Sequence, residues 1–457
     1  WESRGQRSLF GPRGVSGLIN VEITPELAVR LASAYATTLK KGSVVTTSRD
    51  ASRGARTLKR AVVSALTAGA IDVRDLEAVP MPVARYNTSH SGVSGGIALR
   101  TTPGDPQSVD LVFLDSSGAD LSPAAQRKLE RVYSRAEFRR AFPGEIAELS
   151  FPSRSIEGYT QELLRRIDTS GIDEAEMKVV VDCARGTGAL VLPSLLSRVG
   201  AEVMTLNNRL DEASPTDTLA KQMRDLQHLG ELVKSSRADF GVRFDPVAER
   251  LSIVDENGEL VDNERALLVV LDLVAAERGA GRVALPVTTT RVAERVARFH
   301  GVEVQWTPTA TDELTKAAKA DDIVFAGDGR GGYILPEFSR TSDGIAAFVR
   351  LLGLVARTRL SLGQIDRRIP QAHQLRRSVP TPWAVKGSVM RAVVEAAGDR
   401  EIDTTDGVRV VEPNGDWALV LPDTAEAVTR IWAEGSDSDA AQRLLDEWGA
   451  VVERAEG

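Results

Sequence analysis

The chain has 457 residues, material for three or four domains at a typical size of about 100–200 residues each, which points away from a single compact domain. Hydrophobic residues make up 42% and charged residues 26%, ordinary globular usage that leaves no compositional case for disorder. With 57 Lys and Arg against 64 Asp and Glu and a net charge of -7, the chain carries no basic block and does not read as a nucleic-acid binder.

Apolar runs such as Ala266–Ala276 are broken by charge well before the roughly 18 residues a membrane helix needs, so no membrane segment is expected. A single cysteine, Cys183, cannot form an internal disulfide, and four histidines make a zinc cluster improbable, which together favour a reducing cytoplasm. The first residue is Trp1, and residues 1–9 read as a linker from a missing upstream part.

In chain order, Gly42–Ser48 reads as a strand leading into a helix over Ala55–Ala68, with Leu58, Ala61, Val62, Ala65 and Leu66 on one face. The unit recurs as strand Lys178–Val181 with helix Gly188–Val199, and as strand Val283–Val287 with helix Thr290–His300. After each helix a glycine leads back to a valine, at Gly69–Val73, Gly200–Val203 and Gly301–Val304, each glycine expected as a left-handed cap before the next strand. Beyond Leu360 the pattern changes: prolines at 370, 380 and 382, a helix at Lys386–Ala397, strands at Gly407–Val411 and Asp416–Leu421, and a helix at Asp437–Glu453. The expected fold class is α/β: three similar α/β domains with mixed sheets, then a smaller α+β domain, around a central cleft. The expected boundaries are 10–152, 153–277, 278–368 and 369–457.

The opening Phe10–Glu26 (FGPRGVSGLINVEITPE) resembles the start of the α-D-phosphohexomutase superfamily, the phosphomannomutases and phosphoglucomutases, and separated segments further along the chain resemble its four active loops. The resemblance runs from Phe10 to the C-terminus. It is nearest to the mutase-like domain fused to some bacterial mannose-1-phosphate guanylyltransferases, which implies a nucleotidyltransferase domain upstream in the same polypeptide. The family moves a phosphoryl group between the C1 and C6 oxygens of a hexose through a phosphoserine and Mg²⁺, chemistry that needs in-line placement and charge neutralisation.

By this resemblance Thr102, in Gly95-Gly96-Ile97-Ala98-Leu99-Arg100-Thr101-Thr102-Pro103-Gly104, takes the phosphoserine position, and Pro103-Gly104 also reads as an ordinary turn. The metal loop becomes Asp245-Pro246-Val247-Ala248-Glu249-Arg250, leaving Asp245 and Glu249 as a reduced metal pair, or else a solvated charged turn. In the sugar loop, Gly327-Asp328-Gly329-Arg330-Gly331-Gly332, Asp328 and Arg330 are the candidate binding side chains. The phosphate loop reads Leu421-Pro422-Asp423-Thr424-Ala425-Glu426-Ala427, then Arg430; Glu426 and Arg430 are kept, and Asp423 sets a negative charge against an anion. Ser16 replaces the family's opening-loop arginine, with Arg13 nearby, and Arg49-Asp50 matches a pair that organises its loop.

Substitutions thus fall on the positions that touch phosphate, metal or sugar, while glycines, prolines and core apolars are kept. Site residues outrank fold in arguing function. The sequence reads as a catalytically impaired phosphomannomutase-like domain of hexose-phosphate and nucleotide-sugar metabolism, binding a sugar phosphate or serving a regulatory or structural role. The alternative is a divergent active mutase that uses Thr102 and Mg²⁺. No cofactor is expected for the first and Mg²⁺ for the second; a hexose phosphate is the expected ligand, and homo-oligomers are allowed.

Overall fold

The computed structural model describes residues 9–90, 92–213, 216–424 and 426–456. Of the expected 1–9 linker, all but Leu9 lies outside the described residues. By its internal contacts the chain forms two units: one runs to Leu273 and adds Gly329–Asp366, and the other joins Val274–Asp328 to the residues from Arg367 onward. By these contacts residues 329–366 group with the first unit.

The first sheet of the first unit contains β1 (Val15–Leu18), β2 (Val44–Arg49), β3 (Asp72–Ala78), β4 (Val93–Thr102), β5 (Asp105–Asp115) and β6 (Leu149–Ser150), in the order β1-β5-β4-β2-β3-β6. β2 lies parallel to β3 and β4, whereas β4 and β5 form an antiparallel hairpin. Helix α1 (Pro25–Thr38) starts where Thr24 accepts the Leu27 N–H at 3.3 Å, with Pro25 in its first turn, where no intrahelical donor is needed. Helix α2 (Arg53–Ala68) is capped in the same way by Ser52, and α3 (Met81–Thr88) follows β3. Leu31, Tyr35, Leu58, Val62 and Leu66 from the helices meet Val45, Ile97, Leu111 and Phe113 from the strands. Each such side chain contributes about 1.5–3 kcal/mol on burial.

One expected cap is different. Gly69 has φ -92°, and the left-handed residue is Ala70 at φ 56°; Gly200 and Gly301 do take positive φ, 83° and 76°. Gly69 is instead required by packing, because a Cβ there would lie 2.8 Å from the Cβ of Ala36 and push α2 off α1.

The second sheet holds β7 (Lys178–Asp182), β8 (Glu202–Leu206), β9 (Phe240–Phe244), β10 (Leu251–Val254) and β11 (Leu260–Val261), in the order β11-β10-β9-β7-β8. β7 is parallel to β8 and β9, and β9 turns back antiparallel into β10. The helix expected over Gly188–Val199 is broken into a 3₁₀ turn, Thr187–Leu190, and a short helix, Leu192–Leu196, because Pro193 has no N–H to continue the ladder. The helix Gly344–Thr358 returns to this sheet, with Phe348 edge-on to Phe240 and Phe244.

In the second unit, β12 (Arg282–Pro286) runs parallel between β13 (Glu303–Thr307) and β14 (Ile323–Gly327). The short β15 (Tyr333–Ile334) falls in the first unit. The last sheet is antiparallel, with β16 (His373–Pro380), β17 (Glu401–Asp403), β18 (Val408–Val411), β19 (Trp417–Pro422) and β20 (Val428–Gly435) in the order β16-β20-β19-β18-β17. Helices Lys386–Ala397 and Ser438–Glu456 cover it around the buried Trp448. The buried Arg409 guanidinium lies between the Trp306 and Trp417 rings, 5.3 and 4.8 Å from their centroids, and donates to the Val287 carbonyl. Among the described residues no helix is long and apolar enough to cross a membrane.

Candidate functional site

Thr102 ends β4, and only Pro103 and Gly104 separate it from its cross-strand partner Asp105 in β5. Proline pre-sets the first turn position and Gly104, at φ 81°, supplies the second, so the phosphoserine position sits in a tight hairpin turn. Thr102 is buried, and its hydroxyl donates to Asp110 Oδ1 at 2.6 Å. Asp110, fully buried on β5, also accepts the Ser16 hydroxyl at 2.7 Å and Arg100 Nε at 3.3 Å, and Arg13 Nε lies 3.8 Å away. Beside it, Asp50 accepts the Ser52 N–H at 2.8 Å and the Thr101 N–H at 2.6 Å, tying the ends of β2 and β4 together. A carboxylate on a hydroxyl has the geometry of a general base, and here that hydroxyl is 4% exposed.

The Asp245–Arg250 segment is the loop of the β9–β10 hairpin; Val247, Ala248 and Glu249 are buried and Asp245, Pro246 and Arg250 half-buried, so it is not the freely solvated turn expected as one reading. Backbone contacts fix it: Met81 N–H donates to the Val247 carbonyl at 2.9 Å and Thr187 N–H to the Pro246 carbonyl at 2.8 Å. The Val247 side chain completes an apolar cluster with Met81, Ala98, Val112 and Leu114. Glu249 Oε1 accepts Arg85 Nε at 2.9 Å, and Oε2 accepts Arg100 Nη1. Arg85 in turn donates to Asp120 at 2.8 Å and to the Gly118 carbonyl at 3.0 Å.

These surroundings drive the two acids of the loop apart. Burial pushes the Asp245 carboxyl up to about 6, helped by the nearby Glu249 charge and offset in part by the Arg250 N–H it accepts at 3.0 Å. Burial acts upward on Glu249 as well, but Arg85 and Arg100 outweigh it and hold its carboxyl down at about 2.

The sugar loop follows β14. Asp328 is buried in the second unit, and Arg330 is exposed in the first, where its carbonyl accepts Arg250 Nη1 at 3.1 Å. In the second unit the phosphate loop joins β19 to β20. Asp423 accepts the Glu426 N–H at 2.8 Å and Arg430 Nε at 2.7 Å, and Glu426 Oε2 accepts Arg430 Nη2 at 2.9 Å. Lys386 reaches the carbonyls of Asp423 and Glu426 at 2.5 Å and lies over the Trp383 ring. A carboxylate of the chain itself thus occupies the guanidinium that the sequence reading reserved for phosphate.

In the first unit Thr102 is linked to Glu249 through Asp110 and Arg100, with Asp245 in the same loop as Glu249, and in the second Glu426 meets Arg430. The sequence reading assigned no role to Arg85, Asp110 and Asp120. Their one local signal is a charge set among apolar neighbours, as Asp110 is within Val109–Leu114.

Three family models match along the chain, described as phosphoglucomutase/phosphomannomutase alpha/beta/alpha domains I, II and III, over residues 7–140, 157–258 and 262–372. The chain is 28% identical over 456 residues to a phosphoglucomutase/phosphomannomutase of Thermococcus kodakarensis, covering 98% of this chain and 99% of that one. It is 30% identical to a protein of Methanopyrus kandleri described as a probable phosphoglucosamine mutase, covering 97% and 98% of the two chains. A phosphoglucomutase/phosphomannomutase family structure from Burkholderia thailandensis has the same fold, with a TM-score of 0.85 at 21% identity over 98% and 97% of the chains. An N-acetylphosphoglucosamine mutase of Aspergillus fumigatus, solved with GlcNAc-6P and magnesium, aligns at a TM-score of 0.62 and 11% identity over 98% and 96%.

The residues present here do not fit that magnesium ion. Mg²⁺ needs close oxygen ligands in octahedral array, but both Glu249 oxygens are engaged by guanidinium groups and Val247 presents methyls to an apolar cluster. Among the described residues no group of three or more His, Cys, Asp or Glu could hold a metal ion. Four sheets in this order, the matched domains and relatives aligned end to end lead to one statement of kinship: the chain belongs to the phosphoglucomutase/phosphomannomutase family of the α-D-phosphohexomutase superfamily.

Proposed function

We propose that this chain is a phosphohexomutase-family domain that recognises a hexose phosphate, or supports a partner that does, without transferring the phosphoryl group. One observation carries the reading: the metal-loop carboxylate Glu249 is already neutralised by Arg85 and Arg100. Phosphoryl transfer in this family's manner relies on a bound cation to neutralise developing charge, and here Glu249 is engaged by two guanidinium groups and Val247 has no oxygen, which leaves Asp245 as the loop's one other carboxylate. The hairpin around Thr102 weighs the same way, since a hydroxyl held by Asp110 in a two-residue turn has little room to swing in line. A role in nucleotide-sugar metabolism, a mannose phosphate as ligand, a cytoplasmic location and an upstream nucleotidyltransferase region in the same polypeptide belong to this proposal.

A second reading, an active mutase, is favoured by the end-to-end match to relatives described as mutases. It has the Thr102–Asp110 hydrogen bond as its hydroxyl and base. Thermal unfolding with mannose 1-phosphate and glucose 1-phosphate, with and without Mg²⁺, is paired with a turnover assay containing a hexose 1,6-bisphosphate. The first reading expects a saturable rise in Tm that ignores Mg²⁺, or none, and no turnover above a Thr102→Ala control. Mg²⁺-dependent turnover that Thr102→Ala abolishes establishes the second.

The phosphate loop adds a separate expectation. Asp423→Ser removes the carboxylate that competes for Arg430, and exposed pairs of this kind are worth about 0.2–1 kcal/mol, so inorganic phosphate should bind up to about fivefold more tightly. Calorimetric titration of both proteins reads this directly, and equal affinities remove Arg430 as an anion site.

A further inference from the structure

Glu249 meets two cations that come from distant parts of the sequence, Arg85 on α3 and Arg100 on β4, each committed to a further carboxylate. Arg85 reaches Asp120 and Arg100 reaches Asp110, so a continuous chain of five charged groups runs Asp120–Arg85–Glu249–Arg100–Asp110. Three of its members, Glu249, Arg85 and Arg100, are at most 9% exposed, and Asp110 is wholly buried. The chain links the β9–β10 hairpin of the second sheet to three elements of the first sheet's layer: α3, β4 and β5.

We propose that Arg85 and Arg100 together replace a divalent cation at Glu249, making this junction a permanent, metal-free pin between the first and second sheets. The charge count supports the replacement. Two guanidinium groups carry the same +2 as a divalent ion, but as fixed forks that suit the two oxygens of one carboxylate. A guanidinium stays protonated at any pH the fold survives and cannot be drawn off by a chelator, whereas a metal pin is lost with its ion. For an ion to enter, both charge-assisted bonds must break and Val247 must leave its apolar cluster. The surrounding backbone agrees, because Met81 N–H to Val247 and Gly344 N–H to Ala248 hold the loop shut without a ligand. The inference goes beyond the functional reading above and does not rest on whether a sugar phosphate binds.

Two measurements on the full chain test it. Thermal unfolding of the unmodified protein in EDTA, in Mg²⁺ and in Mn²⁺ should give one Tm; a saturable rise with either cation that Glu249→Gln removes overturns the pin. A double-mutant cycle in urea with Arg100→Met, Glu249→Gln and the pair should show coupling. The combined loss in the folding equilibrium constant should fall at least tenfold short of the product of the single losses, and simple multiplication overturns the proposal. If Glu249→Gln does not fold, Glu249→Asp, shorter by one methylene, takes its place in both measurements with the same two outcomes.

Discussion

Asp110→Ala is expected to destabilise the first unit by about 3–5 kcal/mol, the range found when one partner of a buried ion pair is removed. Asp110 has no exposed surface, and the substitution takes the acceptor from Thr102, Ser16 and Arg100 together. Arg100 keeps Glu249, but its Nε and the buried Thr102 hydroxyl are then left as desolvated donors, while the exposed Ser16 hydroxyl can turn to water. Asp110→Asn should lose less, since it keeps the shape and one acceptor oxygen. Apart from Trp1, every tryptophan lies in the second unit, so far-UV circular dichroism in urea, with amide exchange along β4 and β5, is the measurement that reads this change. A loss below about 1 kcal/mol would mean that water replaces the carboxylate and that Asp110 is not the centre of the network.

Asp245→Asn should have the opposite effect. The Asp245 carboxyl is raised to about 6 by burial, from an ordinary value near 3.8. Below about pH 4 the group is protonated in both states and is neutral to stability. Between about pH 4 and 6 the unfolded chain has released its proton and the folded chain has not, so stability falls as pH rises. Above about pH 6 the full cost of keeping a buried charge remains, about 3 kcal/mol for a shift of two units. Asparagine retains an oxygen for the Arg250 N–H at no such cost. The variant should therefore match the parent near pH 4 and exceed it by about 2–3 kcal/mol at pH 8, read as urea midpoints across that range. A gain independent of pH would contradict the assignment. Glu249 runs the other way: its folded value of about 2 gives stability that is present above about pH 4.5 and is lost as pH falls toward 2.

The elements most legible in the sequence were those with local causes. Ala55–Ala68 lies within the helix Arg53–Ala68, and Lys386–Ala397 is helical over the range its periodicity gave. Gly200 and Gly301 take left-handed angles, whereas Gly69 is a glycine for a reason that lies on another helix, the close approach of Ala36. The site divides along the same line. That Val247 cannot ligate a metal follows from its own side chain, but that Glu249 is claimed by Arg85 and Arg100 depends on partners 164 and 149 residues away. No window of sequence contains both ends of such a bond. The burial of Glu249 was equally hidden, because a carboxylate flanked by Asp245 and Arg250 looks solvated until the guanidinium groups of Arg85 and Arg100 meet it.

The helix Gly344–Thr358 belongs to a unit most of whose chain ends at Leu273, and this orders events during synthesis. At roughly 5–20 residues per second, the ribosome delivers Asp366 some five to twenty seconds after Leu273. For that interval the face of β9 that carries Phe240 and Phe244 lacks Phe348, its eventual cover. The nascent chain must therefore finish its first unit after it has begun its second. A fragment cut at Leu273 inherits the same uncovered aromatic face permanently, so dividing this protein for expression calls for keeping residues 329–366 with the N-terminal piece.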